Sequence, residues 1–309
     1  MLKLLLQSLV GVVMMFWNVE NCFDSFDDPA RRDEDFTPSA ARHWTWKKFE
    51  RKRDGLVQVI LAAGDMTGEL PSVVGLAEVE NRLVVSQIAG RTPLGELGYG
   101  YVHRESPDMR GIDVALLYRK DRLRVVAVDS LRIPGVTTRD ILYTRFAAHG
   151  SPPDVNLHVL VVHLPSKLGG SKASAPRREA ALGVLERAVD SLLQADPCAD
   201  IVVMGDFNDT DNRVAGLVQA PSIPDSARTL PSAPGTLRYR GRWEQIDHFF
   251  VSPSLLPPRG ESAMQIFAPA FLLEDDKTYL GRKPRRTYIG PRYNGGLSDH
   301  LPILLKISL

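Results

Sequence analysis

Gly205-Asp206-Phe207-Asn208 follows directly on the apolar run Ile201-Val-Val-Met204, and Ser298-Asp299-His300 stands immediately before Leu301-Pro302-Ile303. In the first stretch a strand-like run ends in two polar side chains flanking an aromatic one. Extended backbone sends positions i and i+2 to the same side, so Asp206 and Asn208 face one way while Phe207 packs inward. The pattern recurs along the chain. Trp17 runs into Asn18-Val-Glu20-Asn21, Ala77 into Glu78-Val-Glu80-Asn81, Val162 into His163, and Ile246 into Asp247-His248. A carboxylate at the end of a buried strand is costly unless it meets a cation or an imidazole. One such acid is an ordinary turn residue; their repetition points to a single shared edge. Hard oxygen donors there suit Mg²⁺ or Mn²⁺, and the imidazoles suit proton transfer.

Around these ends the chain reads as one mixed α/β domain. Strands are expected at Gly11–Trp17, Val73–Ala77, Val114–Tyr118, Leu123–Val128, Leu157–Val162, Ile201–Met204, Ile246–Val251 and Leu301–Ile307. Helical spacing marks Thr45–Ala63 and Ala175–Gln194, and a shorter helix covers Leu83–Ile88. Most consecutive strands have no helix between them. That disfavours an all-parallel doubly wound sheet and favours two packed sheets with helices outside. Phe23–Trp44, Arg213–Arg238 and Phe267–Gly296 read as long polar loops, which in a domain of this kind are usually functional or mobile.

The 309 residues carry 38 basic and 37 acidic side chains, a net charge of +1, which excludes a globally basic nucleic-acid coat protein. Two cysteines exclude a disulfide framework and a cysteine-built zinc site. No apolar run has the length of a membrane-spanning helix. Residues 1–13 have one lysine and an apolar stretch, and read as a leader or as an extension of the first strand, with 14–309 as the domain. A small-x-small cleavage site is missing, which favours a cytoplasmic over an exported protein.

Taken in order, Trp-Asn-Val-Glu at 17–20, Ala-Glu-Val-Glu-Asn at 77–81, His163, Gly-Asp-Phe-Asn at 205–208, Ile-Asp-His at 246–248 and Ser-Asp-His at 298–300 span nearly the whole chain. With these motifs the sequence resembles the endonuclease/exonuclease/phosphatase superfamily, and within it a bacterial branch of undefined substrate. The resemblance implies a DNase I-like fold: a four-layer α/β sandwich with two packed central β-sheets, outer helices and the site at one end. It implies a metal-dependent phosphoesterase that hydrolyses its substrate by direct attack of water. Glu78 is then the first metal ligand, with Asn18 and Asp299 contributing oxygens or holding metal-bound water, and Glu20 orienting the site from behind. Asp206 positions the attacking water, and Asn208 bonds that water or a phosphate oxygen. His300 carries a proton and is oriented by Asp247. His163 protonates the leaving oxygen or stabilises charge, with Asp113 as its expected carboxylate partner. His43, His103, His149, His158 and His248 read as surface or packing residues.

Two basic clusters flank these motifs: Lys167, Lys172, Arg177 and Arg178, then Arg282, Lys283, Arg285, Arg286 and Arg292. Lys167, Arg285 and Arg286, with Arg110 on the loop before Asp113, are the expected substrate-binding residues. Tyr288 and Tyr293 offer faces for base stacking. A phosphate ester is the expected ligand, DNA or RNA first, with inositol phosphates or phospholipid headgroups as the alternative. No obligate protein partner is evident and a monomer is expected. A non-catalytic phosphate-binding module remains the alternative from a different class.

Overall fold

Two pairs of apolar strands run parallel, and each pair is closed by a long helix. β1 (Gly11–Cys22) leads through α1 (Trp46–Thr67) to β2 (Val73–Val79), and β7 (Asn156–His163) leads through α4 (Ser171–Ala195) to β8 (Asp200–Asp206). The computed structural model describes residues 11–149, 156–166, 171–211, 213–220, 233–255 and 264–308. α1 starts where the Thr45 side chain caps the Lys48 N–H and stops at Gly68 in the left-handed region. Its Phe49, Leu56, Val59, Ile60 and Ala63 form the buried stripe.

Antiparallel neighbours extend both pairs into six-stranded sheets. β3 (Tyr99–His103), β4 (Asp113–Arg119), β5 (Leu123–Leu131), β6 (Ile141–Ala148), β9 (Val218–Gln219), β12 (Asp247–Val251), β13 (Gln265–Ile266) and β18 (Ile303–Ser308) complete them. The first sheet runs β13-β18-β1-β2-β4-β3 and the second β5-β6-β7-β8-β12-β9. Three hairpins decorate the site end: β10–β11 (Leu237–Tyr239, Arg242–Glu244), β14–β15 (Leu273–Asp275, Arg282–Pro284) and β16–β17 (Tyr288–Ile289, Arg292–Tyr293). One large apolar cluster joins the facing sheets and α1, and a second packs α4 on the outer face of the second sheet. The sheets meet closely at Gly75, where a Cβ would come within 2.7 Å of Met204 Sδ.

Every expected strand and helix is present, with α2 at Arg82–Gly90. β3 and β6 were not anticipated, nor was the short helix α3 (Pro93–Glu96). Val12 and Val13 are buried and paired with Ile307 and Lys306, so residues 11–13 of the segment read as a leader or strand extension belong to the first strand. Residues 1–10 lie outside the described residues. Phe23–Trp44 is anchored rather than free: Phe23 stacks on Phe36 at 4.1 Å, and the buried Trp44 indole donates to the Phe23 carbonyl. No helix among the described residues is long and apolar enough to cross a membrane.

Candidate active site

Parallel strands finish and antiparallel strands begin at the same edge of a sheet. The ends of β1, β2, β7 and β8 therefore meet the starts of β12 and β18. Register makes this concrete, because His163 on β7 pairs with Asp206 on β8, which pairs in turn with Asp247 on β12. A Cβ at Gly205 would lie 2.2 Å from the Val162 carbonyl oxygen, so this position of the ladder admits only glycine. Asn18 Nδ2 donates to Asp206 Oδ2 at 3.0 Å and ties the two sheets across their seam, while Trp17 Nε1 donates to the His300 carbonyl and Ser298 Oγ to the Asn18 carbonyl, holding the segment before β18 onto β1.

Asp206 Oδ2 is the hub. His163 Nε2 lies 3.7 Å from it and His300 Nε2 3.8 Å. Oδ1 accepts the Asn208 N–H at 2.8 Å, closing an Asx turn that holds Asn208 at φ +53°. Burial, with Asp247 adding to it, pushes the Asp206 carboxyl up to about 7 although His300 pulls the other way. Burial opposes charge on His300 as well, but Asp247 at 2.9 Å from Nδ1, together with Asp206, outweighs it and holds the imidazole well above its usual range. His163 goes the other way. Its burial, then the positive charge of Arg139, Arg110 and His300, press it well below that range. One imidazole is thus charged and the other neutral, which separates their possible chemistry.

Glu78 stands beside this group at a β-bulge. The β2–β4 register shifts between Ala77 and Val79, and the β1–β2 register between Asn18 and Cys22. Glu20, Asn21 and Glu78 adopt φ of +49°, +50° and +63°, a left-handed conformation that costs a non-glycine residue about 1 kcal/mol or more. The bulges turn Glu78 Oε2 onto the Asn21 N–H at 2.8 Å and leave Oε1 facing His163 Nε2 at 3.9 Å. Behind it, Glu20 accepts from Arg286 Nε and the Thr287 N–H, and Arg286 Nη2 reaches Asp299 at 3.0 Å. Lys52 rises from the middle of α1 to donate to the Glu20 carbonyl and Thr287 Oγ1. Burial, with Asp299 adding to it, lifts the Glu20 carboxyl to about 7 in spite of both cations. The donors suit a hard divalent cation: Glu78 has an oxygen clear of hydrogen bonds among the described residues, and Asp299 is part-exposed.

The sequence matches the model of the endonuclease/exonuclease/phosphatase family over residues 13–309. The chain belongs to this family. Its fold is DNase I-like. A family protein from Bacteroides thetaiotaomicron superposes with a TM-score of 0.61 at 14% identity, covering 97% of this chain and 96% of that one. TDP2 from C. elegans gives 0.59 at 16%, covering 97% and 75%. The human Nocturnin catalytic domain gives 0.56 at 18%, covering 96% and 94%. At such identities the likeness is one of fold. No protein of curated function matches the chain in sequence.

Within this family member the edge gathers Asn18, Glu78, His163, Asp206, Asn208, Asp247, Asp299 and His300, and several expectations need revision. Asp113 is not the partner of His163: it lies 3.1 Å from His103 Nε2 and accepts the Ser106 N–H, while His163 Nδ1 has no partner among the described residues. His103, the last residue of β3, is therefore the partner of Asp113, with Glu105 3.7 Å from its other nitrogen. Asn18 has Nδ2 on Asp206, and its Oδ1 accepts the Glu20 N–H, so its amide ties the two sheets. Asn208 Nδ2 donates to the Leu164 carbonyl. Arg110 does reach the site, bonding Asn21 Oδ1 at 2.9 Å and approaching Glu78 at 3.8 Å. Arg286 is turned onto Glu20 and Asp299 although its side chain remains 48% exposed, and Arg285, also exposed, bonds the Asn294 carbonyl. Tyr288 is buried, packed edge-on against Tyr293 with its hydroxyl donating to the Arg42 carbonyl, so it offers no stacking face. Lys167 lies outside the described residues. Lys52 and Arg139 were missed. Lys52 is one of the basic residues crowded into Lys47–Arg53 and Arg139 a single cation between Thr138 and Asp140, and neither has a signal short of its distant partner.

Proposed function

We propose that this protein is a divalent-metal-dependent phosphoesterase that hydrolyses phosphodiester bonds by direct attack of water, with nucleic acid as its first substrate class. The observation that carries the reading is the position of Asp206 Oδ2, between the two imidazole Nε2 atoms and beside Glu78. A carboxyl near 7 is poised to accept a proton at neutral pH, so Asp206 orients the attacking water and takes its proton. Charged His300, held by Asp247, stabilises negative charge growing on the phosphoryl oxygens. Neutral His163 is a hydrogen-bonding partner for the ester oxygen rather than a proton reservoir. Glu78, with Asp299 and Asn18 in support, would hold Mg²⁺ or Mn²⁺, which supplies Lewis-acid polarisation of a phosphoryl oxygen when bound. The enzyme acts as a monomer in the cytoplasm under this reading.

A second reading, hydrolysis of a small phosphorylated molecule, is favoured by the turn of Arg286 onto Glu20 and the burial of Tyr288, which thin the surface expected to hold a polynucleotide. One structure of this fold is a mannosyl-6-phosphatase from Bacteroides thetaiotaomicron. The test is a panel of plasmid, single-stranded DNA, RNA, sphingomyelin, inositol phosphates, sugar phosphates and a chromogenic diester, each with Mg²⁺, Mn²⁺ and chelator. Metal-dependent hydrolysis that falls at least ~100-fold in Asp206→Ala supports the reading. Hydrolysis of nothing, or turnover unaffected by that substitution, overturns it.

A further inference from the structure

A cleft of about 430 Å³ opens beside the candidate active site, between the loop carrying Arg110, the segment before β6, and the start of α4. Three arginines line it, Arg110, Arg139 and Arg177, against one acid, Asp108. That acid is already neutralised. Asp108 Oδ2 pairs with Arg139 Nη1 at 3.1 Å and Oδ1 accepts the Arg110 N–H. The cleft is therefore cationic overall. Arg177 is exposed and has no ion-pair partner among the described residues. Hydroxyls complete the lining: Ser174, and Thr138, which is buried with its Oγ1 unpartnered. Arg139 is buried too, and its Nε lacks a partner while its two terminal nitrogens are engaged. These are two of the eleven buried side-chain atoms that lack a hydrogen-bond partner among the described residues, and both belong to residues that line the cleft.

The cleft is coupled to the reacting end by hydrogen bonds. The Leu164 carbonyl, next to His163, accepts from both Arg139 Nη2 and Asn208 Nδ2 at 2.9 Å. Arg110 spans the gap, one side facing the cleft and its Nη2 near Glu78 and Asn21. A group in the cleft is thus a neighbour of the scissile phosphate, on the His163 side. Guanidinium forks with hydroxyls select tetrahedral oxyanions, and phosphate above carboxylate where several forks converge.

We propose that this cleft binds a second phosphate group of the substrate, adjacent to the one that is hydrolysed. The proposal rests on the phosphoesterase reading and narrows it to substrates carrying two phosphates. The second phosphate comes either from the next linkage of a polynucleotide or from a small bisphosphorylated molecule.

Two pairs of substrates separate these sources. One pair is a thymidine dinucleotide with and without a terminal phosphate, and the other is a sugar bisphosphate and its monophosphate. Wild-type enzyme is expected to prefer the doubly phosphorylated member of at least one pair by ~10-fold or more in kcat/KM, and the pair that shows it names the source. Arg177→Ala, at an exposed position that does not threaten folding, is expected to bring that ratio to within about two-fold of unity, and Arg177→Lys to restore part of it. Binding of inorganic pyrophosphate in chelator, measured by calorimetry, gives a readout independent of turnover. It should weaken ~10-fold in Arg177→Ala. Hydrolysis without a preference in either pair, or a preference indifferent to Arg177, overturns the cleft and leaves the phosphoesterase standing. Arg177-dependent pyrophosphate binding by a protein that hydrolyses nothing supports the cleft and overturns the activity. Absence of both overturns both.

Discussion

Asp247→Asn isolates the charge that sustains His300. The substitution keeps the size of the side chain and an oxygen able to accept from Nδ1, so the 2.9 Å contact survives as a neutral one. It removes the carboxylate that, with Asp206, overcomes the burial of the imidazole. Folded wild-type protein holds the His300 proton more tightly than the unfolded chain, whose histidine titrates near ~6.5. That difference stabilises the fold fully below about pH 6.5 and disappears as pH rises through the folded value. Removing one member of a buried ion pair costs ~3–5 kcal/mol, and the retained hydrogen bond places this case near the lower figure. For a chain of 309 residues ~3 kcal/mol is roughly 4–6 °C in Tm. The variant should therefore melt that much lower than wild type at about pH 5.5, with the gap narrowing as pH rises above the histidine's usual range. Turnover should fall ~10²–10⁴-fold, and the alkaline limb of the rate profile should move to lower pH. Thermal melts in chelator across the range, with pH–rate profiles in Mg²⁺, measure both. A melting gap that stays constant with pH would refute the ionic coupling, whatever happens to turnover.

Glu78→Gln should abolish most of the rise in Tm that Mg²⁺ or Mn²⁺ gives the wild type, while the metal-free variant is at least as stable; an unchanged metal response removes Glu78 as ligand. Asp206→Asn tests the same sign of linkage on an acid. The carboxyl at about 7 holds its proton more tightly in the fold than in the unfolded chain, so wild-type stability declines from about pH 4 until pH passes that value. The variant should lack this decline and, in chelator at about pH 8, match or exceed the wild type while losing at least ~100-fold in turnover; lower stability there contradicts the assignment. Arg286→Gln frees Glu20 and Asp299 of their shared counter-charge, and should reduce activity on small and large substrates alike. Arg285→Gln should alter only the KM of nucleic acid and its salt dependence, and Michaelis constants for a plasmid and a chromogenic diester distinguish the two.

The site edge was legible in the sequence because its residues terminate apolar runs. Asp206, Asp247 and His163 announce themselves by following or opening strands, and a strand end is a local feature. The two sheets follow from the same runs. β6 was missed because Tyr143 and Arg145 alternate with its buried residues on a face that is only partly covered, and β3 because Tyr-Gly-Tyr reads as a turn. What sequence could not convey is pairing at a distance. Lys52 sits among the charged residues of an amphipathic helix and looks solvated, yet it is buried against Glu20 and Thr287. Asp113 opens a strand beside the site and was matched to the wrong histidine, because the choice between His163 and His103 depends on how β3 lies against β4. The turn of Arg286 onto Glu20 likewise depends on a loop that returns to β1 from far along the chain. The bulges at Glu20-Asn21 and at Glu78 leave no mark in residue type, since they arise from register and are occupied by residues that would otherwise avoid a positive φ.

The long-range contacts that close the site edge have a kinetic meaning. Trp17 and His300 are 283 positions apart, Asn18 and Asp206 are 188 apart, and β1 has β18 as its antiparallel neighbour. Contacts this remote in sequence form late, because the chain must close very large loops before they can give anything back. Until β18 arrives, the apolar β1 has one edge without a partner, a template for association with other chains. Recovery of hydrolysis after dilution from denaturant should then trail the return of helical signal, and its yield should drop as protein concentration rises.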